Sequence, residues 1–190
     1  MVGGPRKKGN SYIVLKYILS GARRENVLAE RIYLRDYKFK PCIGCERCRK
    51  DKICTGLNDG MSLLYPKIVQ SQGLILISLT HNYNITAWTK AFIDRLYCFY
   101  TFDNNLLQGC SSRLANQRRK AIAVAICEQE SKEDMGFTLE AMRLPLTALG
   151  YEIVGELSVF ALFDKGKVSE KSDILDRAAK LGVKLAQSLS

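Results

Sequence analysis

Cys42, Cys45, Cys48 and Cys54 lie within the stretch KPCIGCERCRKDKICTG, at the spacing C-x2-C-x2-C-x5-C. The other cysteines are the isolated Cys98, Cys110 and Cys127. Four thiolates so close together allow three readings. A 4Fe–4S cluster takes four thiolates in a compact run, and the close C-x2-C-x2-C start matches bacterial clusters. The fourth ligand follows after five residues with no proline next, so the loop can close on one cluster. Structural zinc also takes four cysteines, but usually as two separated knuckles, which three cysteines spaced by two fit poorly. The third reading is a loop of thiols that holds no metal. Lys40, Arg47, Arg49, Lys50 and Lys52 surround the sulfurs. Their charge would offset that of a tetrathiolate cluster, lower the thiol pKa values and raise the potential. Cys127 ends an apolar run and reads as core.

A second segment with chemical potential is GGPRKKGNS at 3–11, which runs into a helical pattern. A glycine-rich turn at a helix N-terminus offers free backbone N–H groups and the positive end of the helix dipole, both suited to a phosphate. Gly4 lets the backbone approach, and Arg6 adds a charge-assisted donor. Asn10 and Ser11 can cap the helix and touch the anion. A third segment, THNYNITAW from Thr80, is dense in hydrogen-bonding and aromatic groups. His81 is the sole histidine, and it has no serine or cysteine partner for a nucleophilic triad. Asp94 and Arg95 read as a structural ion pair, and Trp88 as a core residue at the start of its helix.

The elements that must position these segments alternate. Helices are expected over 11–20, ending near Gly21; over 60–71, with Asp59 as N-cap and Pro66 as a kink; and over 87–100, 133–149 and 171–189. Alternation over Val27, Ala29, Arg31 and Tyr33 suggests a strand at 26–35. The continuous apolar runs at 73–79 and 119–127 suit strands buried on both faces, and 151–162 is strand-like. Such alternation implies an α/β parallel sheet covered by helices on both sides. Ligands of these sheets bind beyond the carboxyl ends of the strands. The loops there would start near Gly3, Lys38, Thr80 and Glu128, so a single composite site is expected.

The 190 residues suit one domain, with a cysteine-rich insert at about 40–58, and the apolar content of 47% argues against disorder. No apolar run reaches the length of about eighteen residues that suggests a membrane span, and the start lacks a signal-peptide core, so a cytoplasmic location is expected. The NIT sequon at Asn84 then reads as chance. The net charge is +10, but the basic residues are scattered over Arg6–Lys8, Arg23–Arg24, Arg47–Lys52 and Arg118–Lys120. That scatter speaks against a nucleic-acid surface. A basic zinc-loop module binding nucleic acid is the alternative of another class.

GGPRKKGNS resembles the phosphate loop of the flavodoxin-like NAD(P)H-dependent FMN reductases. The cysteine segment followed by NDGM, and HNYNITAWTKAFIDR, resemble that family's cysteine segment and its flavin-ring loop with the helix after it. The three occur in family order over roughly residues 3–95. The four-cysteine version resembles the iron–sulfur flavoproteins, a branch of the family. The resemblance implies a flavodoxin-like doubly wound parallel sheet in three αβα layers. It also implies FMN, with phosphate at Gly4, Arg6, Asn10 and Ser11, and the ring against Thr80, His81, Asn82, Tyr83 and Asn84, with Glu128 bordering it. It implies a 4Fe–4S cluster on Cys42, Cys45, Cys48 and Cys54 that exchanges electrons with FMN, and a homodimer or higher oligomer with a cluster facing a partner's flavin. The donor would be a ferredoxin or NAD(P)H. An FMN or quinone reductase without a cluster is the nearest alternative. Two departures stand out. Only Met1 and Val2 precede the phosphate loop, so the first strand is missing or truncated, and Gly4 replaces the usual serine.

Overall fold

The computed structural model describes residues 1–102 and 109–189. Its main sheet has the order β2-β1-β5-β6. Strand β1 (Gly73–His81) pairs in parallel with β5 (Lys120–Ile126), and β5 in parallel with β6 (Glu152–Val159). The short β2 (Asn84–Ile85) folds back antiparallel on β1. The sheet continues on the far side of β1. Val2 bridges in parallel to both Ile77 and Tyr33. The Gly3 amide donates to Ile77, the Ile77 amide to Met1, and the Leu34 amide to Val2. Met1–Gly3 is therefore the end of a central strand, and the effective order is that of a flavodoxin-like doubly wound sheet.

The period-two side-chain rule explains the continuous apolar runs. Leu74, Leu76, Ala121, Ala123 and Ala125 face one core. Ile77, Leu79, Ile122, Val124 and Ile126 face the other. The first core is covered by α3 (Tyr65–Gln70), α4 (Ala87–Arg95) and α6 (Glu140–Ala148), through Ile68, Phe92, Met142 and Leu146. The second is covered by α1 (Asn10–Arg24) and α7 (Ser172–Gln187), through Val14, Ile18, Leu175 and Ala178. A side chain at Gly21 would strike the α7 backbone at Ala179, and one at Gly182 would strike the α1 backbone at Ile18. Gly21 therefore lets two helices approach, and α1 runs past it to Arg24 instead of ending there. Among the described residues no helix is long and apolar enough to cross a membrane.

Several expected elements take a different form. The segment 26–35 is not a continuous strand. It pairs only around Tyr33, since the sheet partner within reach is Met1–Gly3, and Leu28 stands fully exposed. The expected helix at 60–71 is a 3₁₀ turn (Gly60–Leu63) followed by α3. Pro66 falls in the first turn of α3, where no intrahelical N–H is required, so it causes no kink. The expected helix at 87–100 is α4, a 3₁₀ turn (Leu96–Phe99), then β3 (Tyr100–Phe102), which pairs with β4 (Cys110–Ser112). The expected helix at 133–149 breaks into α5 (Lys132–Met135) and α6 at Gly136, which has φ +54°.

The Met1 ammonium lies 2.5 Å from the Ile75 carbonyl, and burial pushes its pKa from 8.0 down to about 5. A cavity of about 440 Å³ opens beside it, lined in part by Leu15, Leu19, Val27, Ile32, Leu74 and Leu185.

Candidate functional site

The loop after the central Met1–Gly3 segment leads into α1. Gly9 is the N-cap and makes no side-chain cap bond. The N–H groups of Lys7, Lys8, Asn10 and Ser11 find no acceptor among the described residues. These amides lie at the positive end of a helix of 15 residues, where an anion would be favoured. A side chain at Gly4 would lie 2.6 Å from Ser11 Oγ and 2.9 Å from Leu79 Cδ1, so a larger residue there requires those two side chains to shift. Neither Asn10 nor Ser11 forms the expected helix cap. Asn10 is buried; its amide donates to Leu162 and Asp164 carbonyls and its Oδ1 accepts from the Val168 amide, so it ties the 162–168 segment down instead of capping α1. Ser11 is buried within the first turn. Arg6 reaches across the sheet edge to Glu128 at 3.2 Å, which joins two of the expected site loops.

The β1–β2 hairpin turns through Asn82 (φ 48°) and Tyr83 (φ 62°), between the pair His81 and Asn84. Positive φ at both central positions is the hairpin turn whose twist matches the flanking strands. A tyrosine held there carries backbone strain of order 1–3 kcal/mol, which the surroundings must impose. They do so through Gly136 and Phe137. The Phe137 amide donates to the Tyr83 carbonyl at 2.8 Å, and a side chain at Gly136 would collide with that carbonyl. Thr138 Oγ1 donates to Thr80 Oγ1 at 3.0 Å, and Asn84 Oδ1 accepts from the Ile85 amide at 2.8 Å. Tyr83 and Phe137 are exposed, as are His81 and Asn82. Residues 136–138 belong to this loop cluster, although nothing in the sequence but one glycine marked them. Trp88 is 39% exposed, so it is not a core residue.

Behind the hairpin lies a buried hydroxyl cluster. Thr86 Oγ1 donates to the Gly3 carbonyl at 2.8 Å and sits 2.9 Å from Thr89 Oγ1. Ser78 Oγ accepts from the Thr86 amide and from Thr89 Oγ1. Thr86 also caps α4 by accepting from the Thr89 amide. One residue thus links the start of the phosphate-type loop to the hairpin. Replacing Thr86 with valine leaves the Gly3 carbonyl and the Thr89 amide short of a partner in a buried site. The expected loss is about 1–3 kcal/mol, read as a lower urea midpoint at unchanged slope; an unchanged midpoint would show the cluster to be energetically idle.

The cysteine loop winds through positive φ at Gly44, Glu46 and Lys52, and carries Cys48 on the short α2 (Arg47–Asp51). All four expected cysteines are free and line one cavity of about 420 Å³, with Ile93, Tyr97 and Pro145 among its walls. A side chain at Gly56 would overlap Cys45 Sγ, so the chain passes that sulfur only as glycine. Among the described residues no group of three or more cysteine, histidine or carboxylate side chains is closed up as a metal-ion site. The sulfurs therefore stand around an open space. Burial, then the neighbouring Cys54 thiol, pushes the Cys48 thiol pKa up.

Arg95 anchors the ends of this loop. It donates to the Lys40 carbonyl at 2.8 Å and to both Asp59 oxygens at 2.7 and 3.1 Å. Asp59 also accepts from the Lys40 and Met61 amides. The expected Asp94–Arg95 pair does not form, because consecutive helical residues point in different directions; Asp94 pairs with Lys90 one turn earlier. Burial opposes the charges on Arg95 and Asp59, but their mutual hydrogen bonds outweigh it, holding Arg95 above and Asp59 below their ordinary ranges.

The cysteine cavity shares no lining residue with Gly4–Ser11, Thr80–Asn84 or Glu128. Its walls include the carboxyl end of α4 and Pro145 and Leu149 around the end of α6, both of which run back toward the start of the next strand.

Comparison with known proteins places the chain among flavin reductases in sequence and fold. Residues 1–156 match the sequence model of a family described as NADPH-dependent FMN reductase. An iron–sulfur flavoprotein of Archaeoglobus fulgidus is 28% identical over 99% of this chain and 78% of its own length. One of Methanocaldococcus jannaschii is 31% identical over 49% of this chain, and the match spans only 48% of that relative. Among solved structures, an NAD(P)H:quinone oxidoreductase from Methanothermobacter marburgensis superposes with a TM-score of 0.67 at 18% identity, covering 97% of this chain and 94% of its own.

Proposed function

The chain belongs to the NADPH-dependent FMN reductase family, and from that premise we propose that it is a flavin oxidoreductase carrying both FMN and a 4Fe–4S cluster. The observation that carries the reading is the pairing of an anion nest of unpartnered amides with a separate cavity faced by all four clustered cysteines. The amides of Lys7, Lys8, Asn10 and Ser11 would hold the flavin phosphate. The turn at Asn82–Tyr83, with Thr80, His81 and Asn84 beside it and Glu128 at the border, would orient the ring, and the exposed Tyr83 and Phe137 would shield it from water. Cys42, Cys45, Cys48 and Cys54 would hold the cluster. Bound FMN supplies exchange of one or two electrons, and an iron–sulfur cluster supplies a one-electron relay.

A zinc ion needs sulfurs within about 2.3 Å of one centre, which an open cavity does not favour. The donor would be NAD(P)H or a ferredoxin, whose acidic face a net charge of +10 would suit. Because the cysteine cavity and the amide nest share no residue, electron passage to the flavin of a second copy of the chain is favoured, in a homodimer or larger assembly. The relatives named iron–sulfur flavoprotein support the same reading.

Anaerobic purification tests it, with an absorbance spectrum and flavin, iron and acid-labile sulfide analysis. A yellow-brown protein with flavin, iron and sulfide is expected. Flavin without iron would identify a reductase lacking the cluster. A colourless protein whose nucleic-acid affinity falls steeply with salt would overturn the reading.

A further inference from the structure

Arg35 lies directly behind the amide nest. Its Nη1 donates to the Gly4 carbonyl at 3.3 Å and to the Arg6 carbonyl at 3.4 Å. The guanidinium sits 4.7 Å over the Tyr33 ring, which stacks on Tyr12 of α1 at 6.0 Å and 22°. The side chain is only 11% exposed, and its Nε, 3.5 Å from Asp36 Oδ1, has no hydrogen-bond partner. An aromatic stack rooted in α1 thus fixes a nearly buried cation beneath the loop.

The peptide plane turns this contact into a statement about the nest. In a trans peptide the C=O and the following N–H point in opposite directions. A carbonyl of Arg6 drawn toward Arg35 sends the Lys7 N–H the other way, and that N–H is among those without an acceptor. The preceding peptide, held at Gly4, joins Pro5 and has no N–H to misplace. Both bonds leave one guanidinium nitrogen, Nη1, and a lysine side chain is one bond too short to place its ammonium there.

We propose that Arg35 is a positioning residue for the flavin phosphate: it fixes the loop so that its amides face the anion, and places a positive charge behind them. The inference rests on the reading of Gly4–Ser11 as the phosphate loop. It makes cofactor affinity depend on Arg35 through the phosphate and not through the ring.

The test compares FMN with riboflavin, which lacks the phosphate, by flavin-fluorescence titration of flavin-depleted wild-type, R35Q and R35K proteins. Wild type binds FMN more tightly than riboflavin. R35Q raises the Kd for FMN at least tenfold and leaves that for riboflavin within twofold. R35K restores part of the loss by keeping the charge at a shorter reach. Equal losses for both flavins, or an FMN Kd within twofold of wild type, overturn the proposal. If R35Q does not fold, R35K decides alone: an FMN Kd raised threefold or more with riboflavin unchanged supports the proposal, and an unchanged one overturns it. A wild-type protein that prefers neither flavin overturns the phosphate-loop reading itself, a failure visible before any variant is measured.

Discussion

Replacing Cys48 with alanine is expected to strip the proposed cluster's iron from the protein and to leave the flavin in place. Cys48 is half-buried on α2, packs against the core, and faces the same cavity as Cys42, Cys45 and Cys54. With three thiolates left, a 4Fe–4S cluster loses one of its four ligands. Iron should fall from about four per chain to a small residue, together with acid-labile sulfide. Flavin content should not change, since no residue of the cysteine cavity is shared with the amide nest or the hairpin. Paired flavin and iron analyses of wild type and variant check this. Loss of both together would refute two independent sites, and retention of full iron would remove Cys48 from the ligand set.

The second large effect concerns the central strand. In a chain whose first residue is Met1, the amine is buried with a pKa of about 5, against 8.0 for an exposed amine. Between those values the unfolded chain binds a proton that the folded chain does not, so stability rises with pH. It is undiminished above pH 8, falls as pH drops, and reaches its full loss near pH 5. At 1.36 kcal/mol per pH unit the loss is about 4 kcal/mol. Urea unfolding at pH 5 and 8 should show it. Acetylation of the amine should flatten the pH dependence. A few β-branched residues added ahead of Met1 should flatten it too and raise the midpoint, by entering the cavity beside Met1 and pairing with Ile75 and its neighbours. Equal pH slopes for the free and acetylated chains would sink the argument.

The runs at 73–79 and 119–127 were legible because a strand between two helix layers must be apolar at every position. The four cysteines were legible as a group because their spacing is local. The walls around those cysteines were not legible, since Ile93, Pro145 and Leu149 are distant in the chain and meet the cysteine loop only through packing. Arg95 shows the same limit. Its acidic neighbour in sequence is Asp94, while its partner is Asp59, 36 residues away. Gly136 looked like a residue inside a helix until the Tyr83 carbonyl was seen to occupy the space a side chain would need. Arg35 left no signal either, because its partners are backbone carbonyls, which carry no residue identity.

The amino-acid sequence by itself determined the layer order, the two buried strands and the residue types that could hold an anion or a metal, because burial pattern and residue chemistry act over a few neighbouring positions. Tertiary structure alone decided which carbonyls face which arginines, where Gly136 bends, and which walls enclose the cysteines. Those outcomes depend on which distant backbone groups come within a few ångströms, and no local pattern encodes that distance.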